Sequence, residues 1–269
     1  MSIDKENSEF WKELCGTSLY KSLGLGKVDR NSLKIFDDEY FSFYPYLKKY
    51  LNHIESEDEI LEIGLGFGTV GNYLFDKCKK YTGIDISEGP VSMMKKRIEY
   101  GDNSSKYTSS IGNGTNLIFK DNSFDVVISI GVLHHTGNLK KSISEVYRVL
   151  KPNGKLIMMI YRKPNVFMKS YGFLKLLKHN PKKIIEYKFN FMKLFKYLYD
   201  HDQNDNSTPY TDFTSKKELG HLLEKFSSSK IKVENHTLNT LRLRSRNLFL
   251  KNSLFLKLFG CDLYSVSIK

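Results

Sequence analysis

The sequence predicts an α/β fold, a mostly parallel sheet with helices on both faces. Three observations predict it. A short apolar run, Ile60-Leu61-Glu62-Ile63, leads straight into Gly64-Leu65-Gly66-Phe67-Gly68, as a strand turning sharply into a helix would. Longer apolar runs recur at 125–131 and 156–161, as strands covered on both faces require. Segments with helical spacing separate these runs, so strand and helix alternate as they do in parallel sheets.

Residues 1–50 precede the sheet as an N-terminal helical cap. It has short helical pieces at 10–16 and 19–24 and an aromatic-dense stretch at 36–47 that holds Tyr40, Tyr44 and Tyr46. Residues 51–269 form the main domain. Its first strand covers 59–63, its first helix 70–80 and its second strand 81–86, which ends in Asp85 and Ile86. Pro90 opens a helix that runs to residue 100, a first-turn position that suits proline. A third strand spans 106–111, and Gly112-Asn113-Gly114 turns the chain. The fourth strand, 125–131, runs out through Ile130-Gly131-Val132-Leu133-His134-His135-Thr136. A helix at 139–150 sets Ile143, Val146, Tyr147 and Leu150 on one face, residues 151–155 turn, and the fifth strand covers 156–161. Residues 163–214 read as an insertion, helical and rich in Phe, Tyr, Leu and Lys as far as 200, then polar and turn-like at 201–208. Ser215 with Glu218 three residues later makes a capping box for a helix that turns Leu219, Leu222, Leu223 and Phe226 inward. A sixth strand spans 231–238. After the alternating Arg242, Arg244 and Arg246, an amphipathic segment covers 247–259, and a final strand 262–269.

Gly64, Gly66 and Gly68 remove Cβ atoms that would keep a ligand off the backbone, and the next helix offers free N–H groups. Asp85, at a strand end, can accept hydrogen bonds from a ribose diol. These features describe a nucleoside-cofactor site, for which two cofactors compete. Gly66 through Gly71 fits the dinucleotide pattern G-x-G-x-x-G. Glu62, just before the glycines, instead offers a carboxylate to a ligand ammonium group.

Further motifs follow in order: Gly112-Asn113-Gly114, Asp125-Val126-Val127-Ile128, Gly131-Val132-Leu133-His134-His135 and Arg148-Val149-Leu150-Lys151-Pro152-Asn153-Gly154. With the glycine stretch they make residues 47–162 resemble the class I S-adenosylmethionine-dependent methyltransferases, of the small-molecule type similar to quinone and sterol methyltransferases. The resemblance implies a Rossmann-like seven-stranded sheet whose last strand is antiparallel and at the edge. It also implies a cap over the cofactor and a substrate-facing insertion, residues 163–214, between the fifth and sixth strands. It implies that S-adenosylmethionine is held by Glu62, Gly64, Gly66, Gly68, Asp85, Ile86, Asn113, Gly114 and Ile130. The family commonly has an acid where Asn113 stands; asparagine keeps an accepting oxygen without the charge. Tyr44, Tyr46, Tyr161 and Tyr210 are the candidate acceptor-binding residues. Methyl transfer to oxygen or nitrogen is an in-line displacement in which the enzyme chiefly positions the acceptor and excludes water. His134 and His135 are the candidate bases, because histidine titrates near neutrality.

The net charge of +12 is unevenly distributed. Residues 1–150 hold 19 Lys and Arg against 21 Asp and Glu, whereas residues 151–269 hold 23 against 9. A basic half suits an acidic or lipid-linked small-molecule acceptor, and no nucleic-acid-binding module accompanies it. Cys15, Cys78 and Cys261 are far apart and the histidines are scattered, which argues against a metal site or a disulfide framework and fits a reducing cytosol. The first residues lack an apolar signal core, and no apolar run approaches the roughly 18–20 residues of a spanning helix. The expectation is a cytoplasmic protein, with peripheral membrane contact through 247–259. An NAD-dependent oxidoreductase and a non-catalytic cofactor-binding partner subunit stand as alternatives.

Overall fold

The computed structural model describes residues 2–13, 16–101, 104–236 and 260–269. The amphipathic segment at 247–259 and the alternating Arg242, Arg244 and Arg246 lie outside the described residues, as does the end of the sixth strand expected at 237–238. The elements in chain order begin with a cap of four helices: α1 (Ile3–Phe10), α2 (Thr17–Ser22), α3 (Arg30–Phe43) and α4 (Leu47–Leu51). Alternation follows: β1 (Glu59–Ile63), α5 (Thr69–Leu74), β2 (Lys80–Asp85), α6 (Glu88–Tyr100), β3 (Tyr107–Ile111), β4 (Phe124–Ile130), α7 (Leu139–Val149) and β5 (Leu150–Tyr161). Then come α8 (Val166–His179), α9 (Pro181–Glu186), α10 (Phe191–Tyr199), α11 (Lys216–Leu222), β6 (Ser228–His236) and β7 (Gly260–Ile268).

Among the described residues the seven strands lie in the order β3-β2-β1-β4-β5-β7-β6. β1 pairs in parallel with both β2 and β4, while β7 runs antiparallel to β5 and β6. The chain moves outward from β1 in one direction to β3, then returns to β1's other side at β4. That reversal leaves a crevice beyond the carboxyl ends of β1 and β4, where ligands bind in open α/β sheets. Ile60, Leu61, Val126, Val127, Ile128, Leu156 and Ile157 are wholly buried in the sheet's centre. Each such side chain contributes roughly 1.5–3 kcal/mol relative to exposure.

Four details differ from expectation. β7 is antiparallel but sits inside the sheet, and β6 forms the edge. The reason is burial on both faces: Gly260 through Ser265 are all buried in β7, whereas Ser228, Ser229 and Lys230 of β6 are exposed. A strand carrying Lys230 and Lys232 is suited to an edge. The first helix after the glycine turn stops at Leu74, well short of 80, because Phe75 turns extended and Asp76 takes a φ of +66°. β5 begins at Leu150, taking in the expected turn, with a bend at Asn153 (φ +64°) and a register shift opposite Phe124 and Val126. The N-terminal helix starts at Ile3 rather than near residue 10, capped by the Ser2 side chain, which accepts from the Lys5 amide. The capping box of α11 forms as read: Glu218 N–H donates to Ser215 Oγ at 3.2 Å, and Ser215 N–H to Glu218 Oε2 at 2.7 Å.

Candidate functional site

A first cavity, a cleft, opens over the carboxyl ends of β1, β2 and β4. The glycine turn forms its floor. Gly64, Gly66 and Gly68 have φ of +87°, +49° and +74°, the left-handed region that glycine adopts freely. Gly64 and Gly66 line the cavity, while Gly68 lies behind, where a Cβ would meet Arg97 Cδ at 2.7 Å. A Cβ on Gly64 would drive into Val132, so this glycine also lets the tail of β4 close on the turn.

Glu62 lies on the wall, 3% exposed, and accepts a hydrogen bond from the Tyr81 hydroxyl. Burial pushes its carboxyl up to about 8, and among the described residues no ion pair holds it. Asp85 accepts from the Leu65 amide at 2.8 Å on Oδ2 and the Ser87 amide at 2.9 Å on Oδ1, and burial raises it to about 6. Each of its oxygens keeps a lone pair for another donor. Ile86, Gly114 and Ile130 also line this cavity. Asn113 lines it differently from expectation. Its Oδ1 already accepts from the Thr115 amide and hydroxyl, both at 2.8 Å, and its Nδ2 donates to Asp4 Oδ2 at 2.9 Å. The accepting oxygen read into Asn113 is thus taken locally, and the carboxylate at this end of the cavity comes from α1.

The cap forms the opposite wall. Asp4, Asn7 and Trp11 reach it from α1 and the residue after it, Phe36 and Tyr40 from α3. Asn7 Nδ2 donates to the His135 carbonyl at 2.7 Å, and Ser87 Oγ to the Ser8 carbonyl at 2.9 Å. α3 is fixed by a buried ion pair. Arg97 donates to both Asp37 oxygens at 2.8 Å, and Asp37 also accepts from Thr69 Oγ1 at 2.6 Å and Asn72 Nδ2 at 3.2 Å. Thr69 and Asn72 lie on α5, so one carboxylate ties the cap to the glycine turn.

Trp11 and Tyr40 also line a second cavity, between the cap and the helices α8 and α10. Tyr44 and Tyr161 line this one. Tyr46 lines neither; it packs edge-on against Tyr264 at 5.2 Å. The Tyr210 ring lines neither, but its carbonyl lies 2.8 Å from His135 Nδ1. The two histidines part company. His135 reaches the first cavity and sets Nε2 3.5 Å from Asp200 Oδ2, on the wall of the second. His134 is fully buried beneath it, its ring tilted by 53° against the Tyr161 ring at 4.2 Å, and lines neither cavity.

Burial holds His135 down to about 4, so its ring is neutral at pH 7. Burial also raises Asp200 to about 7, against the pull of the Tyr161 hydroxyl, which donates to Oδ1 at 3.1 Å. The Tyr210 carbonyl can only accept, so the ring proton sits on Nδ1 and Nε2 is left as an acceptor. Asp262, raised to about 7 by burial, lies on the same wall and accepts from Asn235 at 2.9 Å. Among the described residues the second cavity carries Glu13, Asp200, Asp202 and Asp262 against one lysine, Lys175. Of the described lysines and arginines of the second half, only Lys175 lines this cavity.

Asp4, Trp11, Asp37 and Asp200 were not singled out from the sequence. Each lies far along the chain from its partners, and no local spacing marks it. The family model described as "Methyltransferase domain" matches residues 61–158. A demethylmenaquinone methyltransferase of Symbiobacterium thermophilum is 32% identical over 126 residues, 45% of this chain and 49% of that protein. Phosphoethanolamine N-methyltransferase 2 of Caenorhabditis elegans is 34% identical over 106 residues, 39% of this chain and 24% of that protein. The chain therefore spans half or less of the length of these curated relatives. A solved S-adenosylmethionine-dependent methyltransferase of Thermotoga maritima shares the fold, with a TM-score of 0.52 at 20% identity over 86% of this chain and 94% of that one.

Proposed function

We propose that this chain, whose residues 61–158 match the methyltransferase-domain model, is a class I S-adenosylmethionine-dependent methyltransferase that moves a methyl group onto an oxygen or nitrogen of a small molecule seated in the second cavity. The observation that carries this reading is the meeting of the two cavities at Trp11 and Tyr40, with His135 on one wall and Asp200 on the other. The first cavity fits the cofactor. Its buried Glu62, held by the Tyr81 hydroxyl and by no ion pair among the described residues, suits the ammonium group, Asp85 suits the ribose, and the glycine turn leaves room beside the backbone. When bound, the cofactor supplies an electrophilic methyl on sulfonium.

The remaining work falls to the chain's own residues. The cap excludes water and the aromatic walls orient the acceptor. The His135–Asp200 pair takes the acceptor's proton: with Nδ1–H committed to Tyr210, the open positions are Nε2 and the Asp200 carboxylate. Carboxylates on the wall favour an acceptor group that donates hydrogen bonds, an amine or hydroxyl, over an acidic one. The dinucleotide pattern has a structural explanation: a Cβ on Gly71 would meet Met94 Cε at 2.5 Å and the Tyr81 hydroxyl at 2.6 Å. That glycine serves packing within the fold.

Calorimetric titration with S-adenosylmethionine, S-adenosylhomocysteine and NAD tests the reading. The first two should bind and NAD should not. Asp85→Ala should weaken binding by about 10- to 100-fold through lost hydrogen bonds to a charged group. Gly66→Arg should abolish binding by filling the cavity. Binding of NAD alone would overturn the reading. A second expectation follows from Glu62. In the free protein at pH 7 it holds its proton, because its carboxyl titrates near 8. An ammonium group beside it favours the carboxylate, so cofactor binding should release close to one proton and tighten as pH rises from 6 to 8. Calorimetry in buffers of different ionisation enthalpy reads the release, and Glu62→Gln should remove it. An unchanged proton count in that variant would place the ammonium elsewhere.

A further inference from the structure

The helices that line the second cavity have an outer face that nothing above uses. α8, α9 and α10 share a small core of Leu176, Ile184, Leu194 and Tyr197, so they form one layer. α8 buries Met168, Gly172 and Leu176 inward, and its opposite side leaves Val166, Leu174 and Leu177 exposed. Ile185 of α9 is 73% exposed, Phe189 in the next turn 60%, and Met192 of α10 42%. Lys188 and Phe189 have φ of +49° and +58°, a left-handed pair of non-glycine residues that ends α9 and carries Phe189 outward. Lysines are interleaved with these side chains. Residues 166–193 hold seven Lys and one acid, Glu186, and Lys178, Lys182, Lys188 and Lys193 are exposed.

We propose that this outer face of the insertion docks the protein on an anionic lipid bilayer, bringing the second cavity to the membrane surface. Apolar side chains spread over three helices and a turn, set among lysines, match an interfacial surface, where the apolar tips enter the headgroup region and lysine stems reach back to lipid phosphates. Each lysine near an anionic leaflet adds to the attraction, which is screened by salt. A second copy of the chain is a poor occupant, since it would set one lysine-rich face against another. The surface is distinct from the residues assigned to methyl transfer and stands whether or not that reading holds.

Co-sedimentation of the full chain with vesicles tests it. The protein should bind phosphatidylcholine vesicles carrying about 30 mol% phosphatidylserine and not phosphatidylcholine alone, and binding should fall as salt rises. Ile185→Asp with Phe189→Asp, and separately Lys182→Glu with Lys188→Glu, should each lower the vesicle-bound fraction at least tenfold. All four positions are outside both cavities, so S-adenosylhomocysteine binding, measured on the same preparations, should be unchanged and certifies folding. Failure of the wild-type protein to bind either vesicle, with cofactor binding intact, overturns the docking surface alone. Equal binding by the variants places the lipid contact elsewhere and also overturns it. A dimer in sedimentation that both variant pairs dissolve would assign the face to a second copy instead. Vesicle binding without cofactor binding would overturn the methyltransferase reading and leave this one standing.

Discussion

Asp200→Asn is expected to lower kcat by about 10²- to 10⁴-fold, the range typical of a lost proton acceptor, with cofactor affinity unchanged. The reasoning starts from the burial of both partners. His135 alone is a poor base at pH 7, because burial holds it down to about 4. Asp200, raised to about 7, is the group that changes charge near neutrality, and its Oδ2 lies 3.5 Å from His135 Nε2. The pH profile should therefore follow the Asp200 carboxyl. Activity should be lost as pH falls through about 7, when Asp200 becomes protonated. In Asp200→Asn the remaining histidine titrates far lower, so the limb near 7 should vanish and leave a low, flat rate. His135→Ala should cost as much as the aspartate variant, whereas His134→Ala should act on stability through the space it vacates. A rise in KM with kcat and its pH profile intact would show that Asp200 only shapes the acceptor cavity.

Features that depend on neighbours in the chain were legible in the sequence. Glu62, Gly64, Gly66 and Asp85 belong to one strand–turn–helix–strand unit, and its apolar run and glycines fix where each falls. The capping box at Ser215 was readable for the same reason. Features assembled across the chain were not. Asp200 meets His135 over 65 residues only because α10 folds back beneath the sheet's end, and no spacing encodes that return. Asn113 shows the limit at a single position. Its residue type permits the expected acceptance, but Thr115 and Asp4 take up its oxygen and its amide. The order of the last two strands was misread: the final strand was expected at the edge, but β6 forms it, and Ser265 and Ser267 of β7 are buried within the sheet. Charge was the least transferable signal. It is a sum over the whole chain, whereas the described residues that line the second cavity carry four carboxylates against one lysine.

Asp37→Ala should be the most destabilising single change in the cap, by about 3–5 kcal/mol, because it leaves a buried guanidinium unpaired. Arg97 is 3% exposed, and apart from Asp37 it donates to the Phe67 carbonyl. The loss corresponds to a drop of roughly 10 °C in Tm for a chain of this size. It should also weaken cofactor binding, since α3 supplies Phe36 and Tyr40 to the first cavity, and Phe36 stacks 4.4 Å from Phe67 in the glycine turn. A paired variant separates the two effects. Asp37→Leu with Arg97→Met removes both charges and should recover much of the lost stability, as apolar replacements of buried ion pairs often do. It restores no partner for Thr69 Oγ1 and Asn72 Nδ2, whose hydrogen bonds to Asp37 tie the cap to α5. Cofactor affinity should therefore stay low in the paired variant although its Tm rises. Recovery of both together would mean that the ion pair serves stability alone and that the cap closes over the cofactor by its aromatic contacts.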